Sequence, residues 1–339
     1  MDRLLASDEP AIRWKVRVAV QGEDPESRPL RRLREEIRRS PRVRRLIDGH
    51  AQLGRSTYAK WQGGHWVLLA LAELGHPGGD PELVRLGDGV LGTWLAERYF
   101  RDYDPAVTAP DRGRAGVPVV NGRHRRCGSQ HGAALLSVVR LGMVDDRAAA
   151  LAERLRHWQW PDGGWNCHAK PDARSSSVYE TLLPMRGLAA YARVSGDPAA
   201  AEAARRAGQV LLERRLLYRR SNGRLIRRDW ANLHYPVYWR YDVLAALKGL
   251  AEAGLLDDGR CQDALELLMR KQLPAGGWAM EGRYYRSVGA GQGQELVDWG
   301  EADPGRMNEW ITVDALAVLS ATRVSRPSTA GASPDSAPP

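Results

Sequence analysis

The sequence predicts an all-α protein, an α/α toroid of about five or six helix pairs in which inner and outer helices alternate. Three observations carry this expectation. Segments that are apolar nearly all round recur along the chain, segments with one wet face lie between them, and alternation of Val, Ile and Thr never runs beyond a few residues. Helices buried on every side, alternating with half-buried ones, describe two concentric layers.

Residues 1–39 read as an N-terminal helical extension. Within "RPLRRLREEIRRSPRVRR", Leu30, Leu33 and Ile37 stand at helical spacing, leaving an Arg-rich solvated face. Residues 40–322 read as the toroid. Its buried segments are "GGHWVLLALAELG", "SQHGAALLSVVRLG", "YETLLPMRGLAAYA", "YDVLAALKGLAEAG" and "VDALAVLSA", several closing on a Gly suited to a left-handed cap. Between them, "DRAAALAERLRHWQ" and "CQDALELLMRKQ" carry one apolar stripe each. The first polar residues of the later buried helices, Glu180, Asp242 and Asp314, are 62 and 72 residues apart, and Gln130 precedes Glu180 by 50. Such intervals suit helix pairs, and since neither end offers a polar capping repeat, closure into a ring is expected over an open solenoid. Residues 323–339, rich in Pro, Ser and Ala without apolar periodicity, read as a disordered tail.

The chain has 339 residues and 43% hydrophobic content, enough for a sizeable core. No stretch reaches the roughly 18 apolar residues of a membrane span, and "MDRLLASDEPAIRWKV" lacks the parts of a signal peptide, so a cytoplasmic protein is expected. The net charge of +9 invites nucleic acid. The basic residues are spread along the chain without aromatic interleaving or zinc-finger spacing, however, which argues against that partner. An apolar or isoprenoid small molecule, a diphosphate, or peripheral contact with anionic lipid would use the same charge. Three scattered cysteines do not make a disulfide framework.

"QWPDGGW" (159–165) and "QLPAGGW" (272–278) share the pattern Q-x3-G-x-W, with "YAKWQGGHW" (58–66) as a degenerate third copy. The pattern resembles the QW motif of the squalene-hopene and oxidosqualene cyclases and their prenyltransferase relatives, over roughly residues 40–321. The resemblance implies a toroid in which the Gln ties helix ends and the Trp stacks between an outer and an inner helix. It speaks for fold; the motif is scaffold. Gln159, Asp162, Gly163, Gly164 and Trp165 therefore read as a turn, with Cys167, His168 and Glu180 left over.

The N-terminal ends of the inner helices should gather at one mouth of the ring, where free N–H groups favour anions. The residues gathered there as substrate-binding candidates are Trp61, His65, Trp66, Gln130, His131, Tyr179, His234, Tyr238, Trp239, Tyr241, Glu309 and Trp310. The chain has 12 Trp and 11 Tyr but one Phe, a balance that favours polar-tipped rings and large cation-stabilising faces.

The family signatures do not transfer intact. An acidic D-x-D-D run is absent, "RDYDP" offering only Asp102 and Asp104; Asp145-Asp146 and Asp257-Asp258 lack the third Asp of D-D-x-x-D; and "DGGWNC" spaces Asp162 and Cys167 too widely for the prenyltransferase zinc pattern. The expected chemistry is acid-initiated, with Asp242 first and Glu180 and Asp314 beside it as catalytic candidates, since carboxyls sharing an apolar space hold a proton. No cofactor is required by this reading. The alternative ligand set for zinc is Cys127, Cys167 and His234, in a zinc-dependent transferase or lanthionine-cyclase-like enzyme. A non-catalytic toroid that binds a hydrophobic ligand or peptide is the other alternative.

Overall fold

The computed structural model describes residues 1–107 and 116–324. α1 (Asp2–Leu5) and α2 (Pro10–Lys15), the latter continued by a π-helical turn at Val16–Val20, precede α3 (Arg28–Arg39), α4 (Pro41–Leu53), α5 (Gly64–Leu74) and α6 (Val84–Trp94). After them come α7 (Gly128–Arg140), α8 (Asp146–Trp158), α9 (Val178–Ser195), α10 (Pro198–Leu212), α11 (Val243–Glu252), α12 (Gln262–Arg270) and α13 (Glu309–Val324). Among the described residues, strand is confined to short pieces in the connections. β1 (Asp102–Tyr103) runs parallel to β2 (Val117–Val120), which is antiparallel to β3 (Arg123–His124). β4 (Arg286–Val288) pairs in parallel with β5 (Gln294–Glu295).

Local chemistry sets the helix ends. Side chains of Ser40, Asp145 and Asp197 accept backbone N–H bonds at the starts of α4, α8 and α10, and Pro41 and Pro198 stand in the first turn where no N–H is needed. Gly75 and Gly196, both at positive φ, close α5 and α9.

The helices form the toroid that the repeat implied. α5, α7, α9 and α11 pack in succession as inner helices, α13 follows and returns to α2 and its π-helical turn, and α2 touches α5. Residues 10–20, from the stretch read as an extension, thus occupy the sixth inner position. Closure is pinned by the Ser7 hydroxyl donating to Glu309 at 2.7 Å and by Lys15 paired with Asp314 at 2.6 Å. α3, α4, α6, α8, α10 and α12 lie outside. The expected tail lies, from residue 325, outside the described residues, and no helix among those described is long and apolar enough to cross a membrane.

The lumen is filled. Toward the mouth, Trp61, Trp66, Leu69, Ala133, Leu136, Leu183 and Tyr238 form a core cluster of their own. Deeper, every inner helix sends a charge to the axis. Lys248 bridges Glu73 at 2.6 Å and Asp314 at 2.9 Å; Arg186 reaches Glu73 and Glu252, both at 2.6 Å; Arg140 meets the same two at 2.9 and 2.7 Å. With Lys15 on Asp314, the centre is a seven-membered ionic network. Burial alone would raise the Glu73 and Asp314 carboxyls, yet the surrounding cations hold both below the usual range.

Candidate functional site

The QW turn positions the site. Gln159 Nε2 donates to Gly163 O at 2.7 Å and to Ala203 O of α10 at 2.8 Å, tying the turn to the next outer helix. Gly163 has φ +97°, and Asp162 accepts from the Ser176 N–H and hydroxyl at 2.7 and 2.6 Å. Trp165 Nε1 donates to Leu155 O at 2.9 Å, and its backbone N–H to Thr181 Oγ1 at 3.3 Å. The second copy repeats these bonds: Trp278 Nε1 to Leu268 O at 2.7 Å and its N–H to Thr312 Oγ1 at 2.9 Å.

That repetition corrects the register of the carboxylates. Thr181 and Thr312 are the equivalent residues, so Asp314 corresponds to Leu183 and lies three residues deeper than Glu180. Counting from the first polar residue of each helix puts the three level, and the shared Trp–Thr bond shows that they are not. Asp242 and Asp314 line one small cavity, together with Glu73, Arg186, His234 and Tyr238, and Glu180 is not part of it. The space open to a water-sized sphere there is about 30 Å³, room for ordered water. An organic ligand needs about 300 Å³ or more.

Each of the three carboxylates has partners. Asp242 is the N-cap of α11, accepting from Ala245 N at 2.7 Å and His234 N at 2.9 Å, and stands 2.8 Å from His234 Nδ1. Asp314 lies between Lys15 and Lys248. Glu180 Oε2 accepts from the Ser129 N–H at 3.0 Å and hydroxyl at 2.7 Å, capping α7 from the neighbouring inner helix.

The aromatic and imidazole candidates divide between core and mouth. His65 accepts from Trp94 Nε1 at 3.0 Å, and burial pushes its pKa down to about 3. His131 Nε2 donates to Trp94 O at 2.9 Å and is likewise held neutral by burial. Trp66 donates to Tyr58 O, Tyr241 to Leu216 O, Glu309 accepts from Ser7, and Trp310 stacks on Tyr235 at 5.2 Å. Trp61 stacks flat on Tyr238, centroids 4.6 Å apart. Tyr179, Trp239 and Gln130 belong to the mouth. Tyr179 packs on Trp239 at 5.6 Å; Lys60 lies 4.8 Å over Trp239; Arg240 lies 5.2 Å from Trp239 and 4.2 Å from Tyr284. Burial, and then the neighbouring Arg240 charge, lower the Lys60 pKa, so an anion would relieve this corner. Gln130 accepts from Arg126 at 2.6 Å.

Beside this shelf Cys127, Cys167 and Glu180 converge, each offering a donor atom within 4.8 Å of the other two. Cys127 is the N-cap of α7. Gly128 lets the helix start against the Trp165 indole, since a Cβ there would stand 2.8 Å from Trp165 Cγ. The opposite strand of the junction is set by the Arg125–Asn166 bridge, which leads directly into Cys167. Cys167 Sγ lies 3.5 Å from Glu180 Oε1, the oxygen not used to cap α7. Its thiol pKa is pushed up, first by the hydrogen bond with Cys127, then by burial and Glu180. The two cysteines of the sequence-based ligand set are thus together. His234 is not with them; it pairs with Asp242 and packs edge-on against Tyr284. His168 is exposed and accepts from Lys170 N.

One acid escaped the sequence reading. Glu295 is fully buried; Oε2 accepts from the Tyr238 hydroxyl at 2.9 Å and Trp299 Nε1 at 3.2 Å, and Oε1 has no partner among the described residues. Burial pushes its pKa up to about 7 against the pull of Trp299, Tyr238 and Arg283. The only sequence signal was a Glu directly before "LVDW".

No family model matches the chain, and no curated protein matches it. Among solved structures it is similar to the GH76A alpha-1,6-mannanase from Salegentibacter sp. HEL1_6, at 13% identity and a TM-score of 0.34 over 83% of this chain and 87% of that one.

Proposed function

We propose that this chain is a zinc-dependent transferase working at the mouth of the ring, with the ion held by the Cys127 and Cys167 thiolates and the Glu180 carboxylate. The observation that carries this reading is the convergence of those three donors on an accessible face. Three protein ligands leave a fourth position open, the pattern of catalytic zinc. Two thiolates and a carboxylate make the loaded site formally anionic, a poor setting for polarising water but one that keeps a bound thiolate nucleophilic. The supported reaction is alkyl transfer to a substrate thiol. Held by Cys127, Cys167 and Glu180, such an ion would lower the pKa of a substrate thiol so that its proton passes to solvent; the sulfur would then bond to the donor's carbon as the carbon–oxygen bond breaks, its electron pair leaving with an anion such as a diphosphate. Lys60 and Arg240 would receive that anion, and Trp239, Tyr179 and Tyr284 would offer faces for an apolar group. An isoprenoid tail would lie on this shelf, because the filled lumen has no room for it.

The test is metal analysis followed by cobalt substitution. Wild-type protein should bind zinc at the mouth and, with cobalt, show near-ultraviolet thiolate charge transfer that Cys167→Ser abolishes. Turnover of small thiols with prenyl diphosphates should be lost in the same variant. Absence of any thiolate-cobalt band in folded wild type would sink the reading.

A second reading rests on Glu295. The acid-initiated chemistry suggested by the sequence would fall to this residue, the buried carboxyl that retains a proton near neutrality. Activity on an alkene that persists in Cys167→Ser and disappears in Glu295→Gln would favour it.

A further inference from the structure

A second constellation lies outside the ring. Asp102 of β1, His124 of β3 and His157 in the last turn of α8 bring one donor atom each within 4.8 Å of one another. Both imidazoles aim Nε2 at the same carboxylate oxygen: His124 at 3.0 Å and His157 at 2.7 Å from Asp102 Oδ2. Their rings stand 4.5 Å apart. These residues are separated by 22, 33 and 55 positions, so the fold gathers them. The scaffold around them is fixed by other bonds: β2 pairs with both β1 and β3, and Trp160 Nε1 donates to His124 O at 2.7 Å.

We infer that Asp102, His124 and His157 form a second divalent-metal site, selective for borderline ions of the zinc class. Two imidazoles and one carboxylate are the donor set such ions prefer over calcium or magnesium. Tetrahedral bonds of about 2.0–2.2 Å place donors roughly 3.4 Å apart, so an ion replaces the two short His–Asp contacts with only a small spreading of the three side chains. Side-chain exposures of 33%, 17% and 40% leave a path for entry and a water in the fourth position. The ion would tie β1 and β3 to α8. His124 stands three residues before Cys127, and His157 precedes the turn that delivers Cys167, so this site braces both chain segments that carry the thiols without sharing a ligand with them.

Zinc and cobalt titrations of the full chain separate the two sites. Cys127→Ser/Cys167→Ser protein should still bind one equivalent of cobalt, with visible absorption but no thiolate band, and zinc should raise its melting temperature. Adding His124→Gln/His157→Gln to that background should abolish both effects, and Asp102→Asn should weaken binding at least tenfold. In the wild-type background the His pair variant should lose one equivalent while keeping the thiolate-cobalt band. Unchanged stoichiometry on removing both histidines from a protein folded by circular dichroism would overturn the site. Failure of the thiol site alone would show as a missing thiolate band with the histidine-dependent equivalent intact.

Discussion

The Tyr238 hydroxyl donates to Glu295 Oε2 at 2.9 Å, joining a residue held at positive φ on the lumen plug to an acid 57 positions later whose other oxygen has no partner among the described residues. Since the folded carboxyl is raised from 4.5 to about 7, the fold binds the proton that the unfolded chain releases. Its contribution is fully present below the unfolded pKa and is lost as pH rises through about 7. Glu295→Gln should therefore be more stable than wild type at pH 8, by about 1–3 kcal/mol, and should lack the fall in stability between pH 4.5 and 7. Chemical denaturation across that range checks this; parallel profiles for the two proteins would contradict it.

Gly128 should be intolerant. A methyl there meets the Trp165 side chain and Glu180 O at 2.8 to 3.1 Å, all three set by the fold. Gly128→Ala should cost about 1–3 kcal/mol by overpacking. It should also shift Cys127 away from Cys167, weakening the thiolate-cobalt band more than an equally destabilising substitution in α12 does.

Thr312 tests the equivalence of the two QW copies. Its hydroxyl accepts the buried Trp278 N–H at 2.9 Å, as Thr181 does for Trp165. Thr312→Val and Thr181→Val each strand a backbone donor and should each cost about 1–3 kcal/mol, whereas Thr312→Ser should retain most of the stability. A neutral Thr312→Val would mean that the shared bond is incidental.

What was legible in the sequence follows from range. Helices such as α5 are apolar nearly all round, so their burial is written locally, and the QW turn carries its own glycines and Trp. The sixth inner helix was harder: α2 has six residues, and Lys15 looks like a surface charge until Asp314 is seen beside it. The lumen network was not legible for the same reason, since Arg186 and Glu73 meet across 113 positions. Cys127 and Cys167 could be singled out by residue type. Their third partner could not, because whether Glu180 or His234 faces them depends on the rotation of α9 and on the N-cap bond that claims Asp242 for α11.

The seven-membered lumen network gives the last prediction. Lys248 is shared between Glu73 and Asp314, and removing it takes one charge-assisted bond from each, leaving Asp314 with Lys15 and Glu73 with Arg140 and Arg186. Lys248→Met should cost about 1.5–3 kcal/mol, because Glu73 and Asp314 each lose a buried charge-assisted hydrogen bond while Lys15, Arg140 and Arg186 still compensate them. Asp314→Asn added to Lys248→Met should deepen that loss, since Lys15 then stands buried beside a neutral amide while Glu73 keeps Arg140 and Arg186. The exposed Arg205–Glu202 pair is the control: Arg205→Ala should leave stability close to wild type. The pH dependence has a definite sign. Glu73 and Asp314 are held below the ordinary carboxylate range, so their stabilisation is present above about pH 4.5 and is lost as pH falls toward their folded values. Lys248→Met, by raising those values, should unfold at a higher pH on acid titration than wild type, and an unchanged acid midpoint together with a control-sized stability loss would show that the network does not hold the ring's centre.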